Sequence, residues 1–308
     1  MKNLLLTTLF VLLLVVNACR MGDRQGQKLY QVFDVTPDSL FMPWAEGPVV
    51  DENGCLYAVN YKKKGTIGVV YPDGLHELFL NLPEGSVGNG LRIVEGHYLL
   101  VADYTNHNVL KVDVRTKELA IYAHDSTMNQ PNDIAVTAKG IVFASDPNWS
   151  DNTGNLWRIN TQGIFELLES DMGTTNGVEV SSDDQRLYVN ESVQRNIWVY
   201  DLDDQANISN KRLFFQFPDF GMDGMRCDAA GNLYVTRFDK GTVAILSPDG
   251  ELLREVKMGG QQPTNIAFGG EDGKTCFVTV ADRGCIQGFR TEYPGRAFLL
   301  ANSEIIDR

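Results

Sequence analysis

An all-β, six-bladed β-propeller with four-stranded blades is predicted by three observations. One strand-and-turn pattern recurs six times, helical periodicity is almost absent, and a strand near the N-terminus has no neighbour of its own.

The repeat comes first because it sets the architecture. Each copy opens on a polar residue and runs into a short apolar stretch: Glu46-Gly47-Pro48, Asn89-Gly90-Leu91, Asn132-Asp133-Ile134, Asn176-Gly177-Val178, Asp223-Gly224-Met225 and Asn265-Ile266-Ala267. A breaker follows each time, such as Asp51-Glu52-Asn53-Gly54 or Ala229-Ala230-Gly231-Asn232. The next strand carries Tyr57, Leu99, Phe143, Tyr188, Tyr234 and Phe277 at equivalent places, with spacings of 42, 44, 45, 46 and 43 residues. That is the period of a four-stranded propeller blade. Two more strands follow around a second turn, as from Gly65 to Leu80 about Pro72-Asp73-Gly74. A β-sandwich would also show many short strands, but not six copies at one period.

The last unit lacks a clear fourth strand after Cys285 to Arg290, whereas Tyr30 to Val35 alternates apolar and polar residues before unit one. The N-terminal strand is therefore expected to complete the sixth blade and close the ring, leaving no open edge.

The first residues are expected to lie outside this fold. Lys2, the apolar run Leu4 to Val16 and the sequence Val16-Asn17-Ala18-Cys19 read as a bacterial lipoprotein signal over 1–18, with Cys19 lipidated. An ordinary signal peptide with a chance cysteine is the alternative, and the run is shorter than the roughly 20 residues of a membrane span. Residues 19–28 form a polar tether and 29–308 a single propeller domain. The expected location is the periplasm or cell envelope, with membrane contact through the anchor alone.

A net charge of −13 argues against nucleic-acid binding and suits a cation. Cys55, Cys227, Cys276 and Cys285 form no C-x-x-C pair and read as free thiols, although an exported chain permits disulfides. His76, His97, His107 and His124 fall away from the repeated positions and read as surface or outer-strand residues.

The residues opening the six units begin the innermost strands and so face one axis. All six, Glu46, Asn89, Asn132, Asn176, Asp223 and Asn265, are carboxylates or carboxamides. Turn propensity accounts for Asn-Gly and Asp-Gly, but not for Glu46. Oxygen donors, two of them anionic, suit one hard divalent cation. Calcium is favoured, with magnesium, manganese and zinc as alternatives, although no His or Cys in the ring supports a nitrogen–sulfur zinc site. The second strand of each blade returns to the same face with Asn60, Asp103, Asp146, Glu191, Arg237 and Asp282. These are candidate contacts to substrate or supports for the groups around the metal, Asp146 and Asp103 foremost, and Asn89 and Gln130 are further candidate substrate contacts.

At these residues the chain resembles the gluconolactonase and regucalcin (senescence marker protein) family, relatives of diisopropylfluorophosphatase. The stretches that carry the resemblance include Glu46-Gly47-Pro48, Pro131-Asn132-Asp133-Ile134 with Ser145-Asp146-Pro147, Thr175-Asn176-Gly177-Val178, Asp223-Gly224-Met225 and Thr264-Asn265-Ile266-Ala267. The resemblance implies a metal held at Glu46, Asn176 and Asp223, with Asn132 as a further ligand or a substrate contact. Some members carry an Arg two residues before that Asn to grip a lactone hydroxyl. Here the position is Gln130, so the resemblance speaks to the metal site and leaves the substrate open.

The expected activity is metal-dependent opening of a sugar lactone, the cation polarising the carbonyl and Asp223 activating water as general base. Pure ligation by Asp223, with solvent as nucleophile, is the alternative role. A non-catalytic binding propeller and a phosphotriester hydrolase are the competing functions, while the lack of a Gly-x-Ser-x-Gly elbow leaves a serine mechanism unsupported.

Overall fold

The structure, a computed structural model, describes residues 28–300. The expected signal peptide and Cys19 lie outside the described residues.

A short strand, β1 (Phe33–Asp34), precedes the first blade, which comprises β2 (Phe41–Val50), β3 (Leu56–Tyr61), β4 (Thr66–Val70) and β5 (His76–Asn81). Blade two comprises β6 (Gly88–Val94), β7 (Tyr98–Asp103), β8 (Asn108–Asp113) and β9 (Leu119–His124). Blade three comprises β10 (Ile134–Val136), β11 (Val142–Asn148), β12 (Thr153–Ile159) and β13 (Phe165–Met172). Blade four runs through β14 (Thr175–Val180), β15 (Arg186–Glu191), β16 (Asn196–Leu202) and β17 (Ile208–Gln216). Blade five runs through β18 (Met225–Cys227), β19 (Leu233–Arg237), β20 (Thr242–Leu246) and β21 (Leu252–Lys257). Blade six takes β22 (Pro263–Gly269), β23 (Thr275–Val280) and β24 (Cys285–Arg290) from the end of the chain and β1 from its beginning.

The closing strand is therefore where its unpaired alternation predicted. Phe33 pairs with Gly288 and Asp34 with Gln287. The bonds Tyr30 N–H to Arg290 O (2.9 Å) and Val35 N–H to Ile286 O (2.9 Å) extend the contact on either side.

Each blade packs both faces on its neighbours, so middle strands such as β3 and β23 are buried along their whole length. Outer strands such as β5 and β21 stay mostly exposed. The core accordingly divides into six clusters, one at each junction between blades. Val59, Ile67 and Val69 meet Leu91, Leu99 and Val101 between blades one and two. Phe41, Leu56 and Ala58 meet Ala267, Phe277 and Ile286 where blade six meets blade one. Each such aliphatic side chain contributes roughly 1.5–3 kcal/mol by leaving water, so the ring is held by side chains at every joint.

The second turn of a blade is set by glycine. Gly74 (φ +88°) and Gly250 (φ +84°) adopt the left-handed backbone that closes Pro-Asp-Gly turns, a conformation a side chain resists. The four cysteines among the described residues are free thiols. Burial drives the thiol pKa of Cys227 and Cys276 well up, which makes them poor nucleophiles.

Candidate metal centre

The residues closing the second strand of each blade act alike, for each fastens the loop leading into an innermost strand. Asp103 accepts from Val87 N–H (3.2 Å) and the Ser86 hydroxyl (2.7 Å), just ahead of Asn89. Asp146 accepts from Asn129 N–H (2.8 Å) and Gln130 N–H (2.5 Å), ahead of Asn132. Glu191 accepts from Gly173 N–H (2.9 Å), ahead of Asn176, and Asp282 from Gln261 N–H (2.8 Å) and Gln262 N–H (3.1 Å), ahead of Asn265. Asn60 donates to Trp44 O (2.9 Å) ahead of Glu46, and Arg237 donates to the Asp219 carboxylate (2.8 Å) and Asp219 O ahead of Asp223. The position is thus a repeated latch.

This corrects the expectation for Asp146 as a substrate contact. Its carboxylate is fully buried and also accepts from Asn155 Nδ2 (3.1 Å) and Trp157 Nε1 (2.9 Å), so four donors occupy it. Gln130 is half-buried beside the Tyr104 hydroxyl, with which it shares a hydrogen bond.

Five of the opening residues lie within two residues of the start of an innermost strand, whereas Glu46 sits in the middle of β2 at a slip in its register with β3. The glycines after four of these six are not turn residues but points of close approach. A Cβ on Gly47 would lie 2.0 Å from Asn89 O, on Gly90 2.5 Å from Asp133 Oδ1, on Gly177 2.4 Å from Asp223 O, and on Gly224 2.0 Å from Asn265 Oδ1. Each glycine makes room for the opening segment of the next blade, which draws the ring tight. Bonds between blades complete it: Gly90 N–H to Asn132 O (2.9 Å), Asn190 Nδ2 to Asp223 O (2.6 Å), Gly224 N–H to Thr264 O (2.7 Å) and Thr264 Oγ1 to Ala45 O (2.7 Å).

Within the ring the structure brings Glu46, Asn176 and Asp223 together. The Asp223 carboxylate hydrogen-bonds to both Asn176 and Glu46, and Glu46 also accepts from Gly47 N–H (2.6 Å) and contacts Asn265. Burial pushes Glu46 up to about 7, with the Asp133 charge adding to the rise. Asp223 is driven well above the carboxylate range, by burial first and then by the Glu46 and Asp133 charges. Two carboxylates this close resist ionising together unless a positive charge joins them.

The neutral members separate into two kinds. The Oδ1 atoms of Asn132 and Asn176 are buried without a hydrogen-bond partner, an arrangement that proteins avoid. Asn265 instead uses its Oδ1 to accept from Ile266 N–H (2.9 Å), and Asn89 turns its Nδ2 onto Asn132 O (3.1 Å). Among the described residues no group of three His, Cys, Asp or Glu side chains is arranged to hold a metal. The two carboxylates and the orphaned Asn176 oxygen beside them are a different donor set, all oxygen, of a kind that fits a hard divalent cation. The histidines stay apart from it: His76 pairs with the Tyr61 hydroxyl (2.9 Å), His97 with Glu95 O (2.8 Å) and His124 with Asn108 Oδ1 (2.8 Å).

A buried ion cluster not anticipated from the sequence lies among the same innermost segments. Arg92 bridges Asp133 (3.1 Å) and Glu179 (3.4 Å), and Arg226 lies 3.4 Å from Asp133 and 3.9 Å from Glu179. The signal was present: Arg92, Glu179 and Arg226 each stand three residues after an opening residue, inside apolar runs such as Gly-Leu-Arg-Ile. Asp133 belongs to both networks, since its charge acts on Glu46 and Asp223.

The profile of the family described as SMP-30/Gluconolactonase/LRE-like region matches residues 44–282. A gluconolactonase from Zymomonas mobilis is 28% identical over 273 residues, covering 77% of this chain and 76% of that protein. The diisopropyl-fluorophosphatase of Loligo vulgaris is 25% identical over 287 residues, 83% of this chain and 91% of its own. Among solved structures, a calcium-binding regucalcin from Agrobacterium tumefaciens superposes with a TM-score of 0.74 at 20% identity, covering 85% of this chain and 94% of the other. That likeness speaks to the fold.

Proposed function

Because the chain belongs to the SMP-30/gluconolactonase/LRE-like family, we propose that it is a hydrolase of sugar lactones whose reaction centre is the ring of Glu46, Asn132, Asn176 and Asp223. The observation that carries the reading is the contact of the Asp223 carboxylate with Glu46 and Asn176, together with the buried, unpartnered Oδ1 atoms of Asn176 and Asn132. These four side chains would hold one divalent cation, calcium by preference for their oxygen donors. A divalent cation bound there supplies Lewis-acid polarisation of the lactone carbonyl.

The chain's own residues do the rest. Asp223 is the less buried of the two carboxylates, so it is the one open to a water molecule and serves as general base toward it. Glu46, held by Gly47 N–H and shielded from solvent, stays a fixed negative charge once the site is filled. Gln130, at the rim beside Tyr104, and Asn132 orient the lactone hydroxyls. The latches on the six loops keep these groups in place without reorganisation, which is where such a site gains its rate.

A second reading, hydrolysis of a phosphotriester or phosphofluoridate at the same ring, is favoured by the similarity to the squid phosphatase over 91% of its length. Rates on an aldonolactone and on an aryl phosphotriester, after chelation and after calcium add-back, decide between them. Turnover of the lactone that survives exhaustive chelation would overturn the metal-dependent reading.

Export with lipidation at Cys19 belongs to the same proposal, supported by the apolar run and the Val-Asn-Ala-Cys sequence. Mass spectrometry of the membrane-bound protein tests it: a lipid-modified N-terminal Cys19 is expected, and Cys19→Ala is expected to release the protein from membranes.

A further inference from the structure

Two aromatic side chains stand near the paired carboxylates in the chain, one on the strand that carries Glu46 and one beside the residue that latches the Asp223 loop. Trp44 lies two residues before Glu46 on β2, and Phe238 follows Arg237, the latch of the Asp223 loop. Their rings stack 5° from parallel with centroids 6.3 Å apart. The indole is nevertheless 64% exposed.

The backbone is arranged to keep it so. Trp44 has φ +78°, in the left-handed region that bulky residues avoid. The register between β2 and β3 slips between Phe41 and Glu46, and Asn60 Nδ2 holds the strained peptide through Trp44 O (2.9 Å). Bulges of this kind re-aim a side chain. Packing does not explain the choice, because an indole with most of its surface in water stabilises little.

Glu46, Asn132 and Asn176 are buried, so the reacting end of a ligand sits below the rim. One residue, Ala45, lies between Trp44 and Glu46, so their Cα atoms are at most about 7 Å apart. A sugar ring lying on the exposed face of Trp44 is therefore next to the one held at Glu46, and a ligand of two joined rings can occupy both places. We propose that Trp44 and Phe238 form a stacking subsite for a second sugar ring carried on the lactone, so that the enzyme prefers lactones of disaccharide aldonic acids to those of single sugars. A sugar ring presents a face of C–H groups bounded by hydroxyls. The face fits a flat aromatic surface and the hydroxyls stay in water, as an open platform allows. An alkyl tail would need walls on several sides, and this platform offers one.

The inference rests on the lactonase reading, and the test separates the two. Steady-state kcat/KM is measured on cellobiono-1,5-lactone, glucono-1,5-lactone and an octyl-substituted γ-lactone for wild type, Trp44→Ala, Trp44→Phe and Phe238→Leu. The disaccharide lactone is expected to lead, and its advantage over the glucose lactone to shrink about tenfold in Trp44→Ala and Phe238→Leu while Trp44→Phe keeps most of it. An unchanged ratio in both variants, an equal loss on both sugar lactones, or a preference for the octyl lactone overturns the subsite. Calorimetric titration with cellobionate and gluconate covers the remaining case. If wild type opens no lactone yet binds cellobionate more tightly than gluconate in a Trp44-dependent way, the lactonase reading falls and the subsite stands. Neither turnover nor such binding overturns both.

Discussion

The guanidinium carbon of Arg237 lies 3.5 Å from the centre of the Phe217 ring, and the two residues clamp the loop that delivers Asp223. Arg237 is fully buried, yet its partners Asp219 and Glu255 reach toward solvent, so the arginine acts as a peg driven inward from the rim. Removing it is expected to leave the fold and loosen the loop. Arg237→Met should lower kcat at least tenfold with a smaller change in KM, and Arg237→Lys should not restore it, because an ammonium lacks the planar fork. Equal kcat in wild type and Arg237→Met would show that the loop holds Asp223 unaided.

The second expectation concerns Asp223 itself. Asp223→Asn should abolish lactone opening with little loss of melting temperature, since an amide keeps the shape and removes the base. Unchanged turnover would rule out its proposed role.

Acidity gives a third test. In metal-free protein the Glu46 carboxyl stands at about 7 instead of its ordinary 4.5, because burial disfavours the charge. A group raised on folding stabilises fully below its unfolded value, so this contribution is present below 4.5, declines as pH climbs toward 7 and is absent above. The stability of chelator-treated protein, followed by its melting temperature, should therefore fall between about pH 4.5 and 7, by up to about 3 kcal/mol. Glu46→Gln should flatten that fall. Calcium affinity should run the other way, rising with pH as the carboxylates give up their protons.

The glycines of the ring predict a steric effect. Gly177→Ala places a methyl group against Asp223 O, and the neighbouring segment must move. A loss of about 1–3 kcal/mol is expected, together with weaker calcium binding by calorimetry. Unaltered affinity would mean that the close approach does not set the donor geometry.

Asp146→Ala should cost about 2–4 kcal/mol by leaving four donors unpaired, and should reduce activity through the displaced Asn132. Thermal denaturation and lactone turnover measured together check both halves.

Much of this molecule was legible beforehand because its repeat is regular. The unpaired alternation of Tyr30 to Val35 located the closing strand, and the oxygen-bearing residues at one period include Glu46, Asn176 and Asp223, which lie together in the structure. What escaped was direction. Position along a strand says that Asp146 nears the mouth, but not that its carboxylate turns back to hold Asn129 and Gln130. Asn-Gly suggests a turn by propensity, whereas Gly90 and Gly177 are small because another strand passes close by. Arg92 and Glu179 were hidden for a further reason: charge within a buried strand looks like a break in the pattern until its partners from other blades are known.

The bond from Gln287 to Asp34 joins residues 253 positions apart. During synthesis every other blade can form from contiguous chain, whereas blade six must wait for the final strands before it can capture the first. Until that moment β1 has no partner and the outer edge of the last blade is bare. A polypeptide built this way reaches its stable form only after nearly all of it has been made.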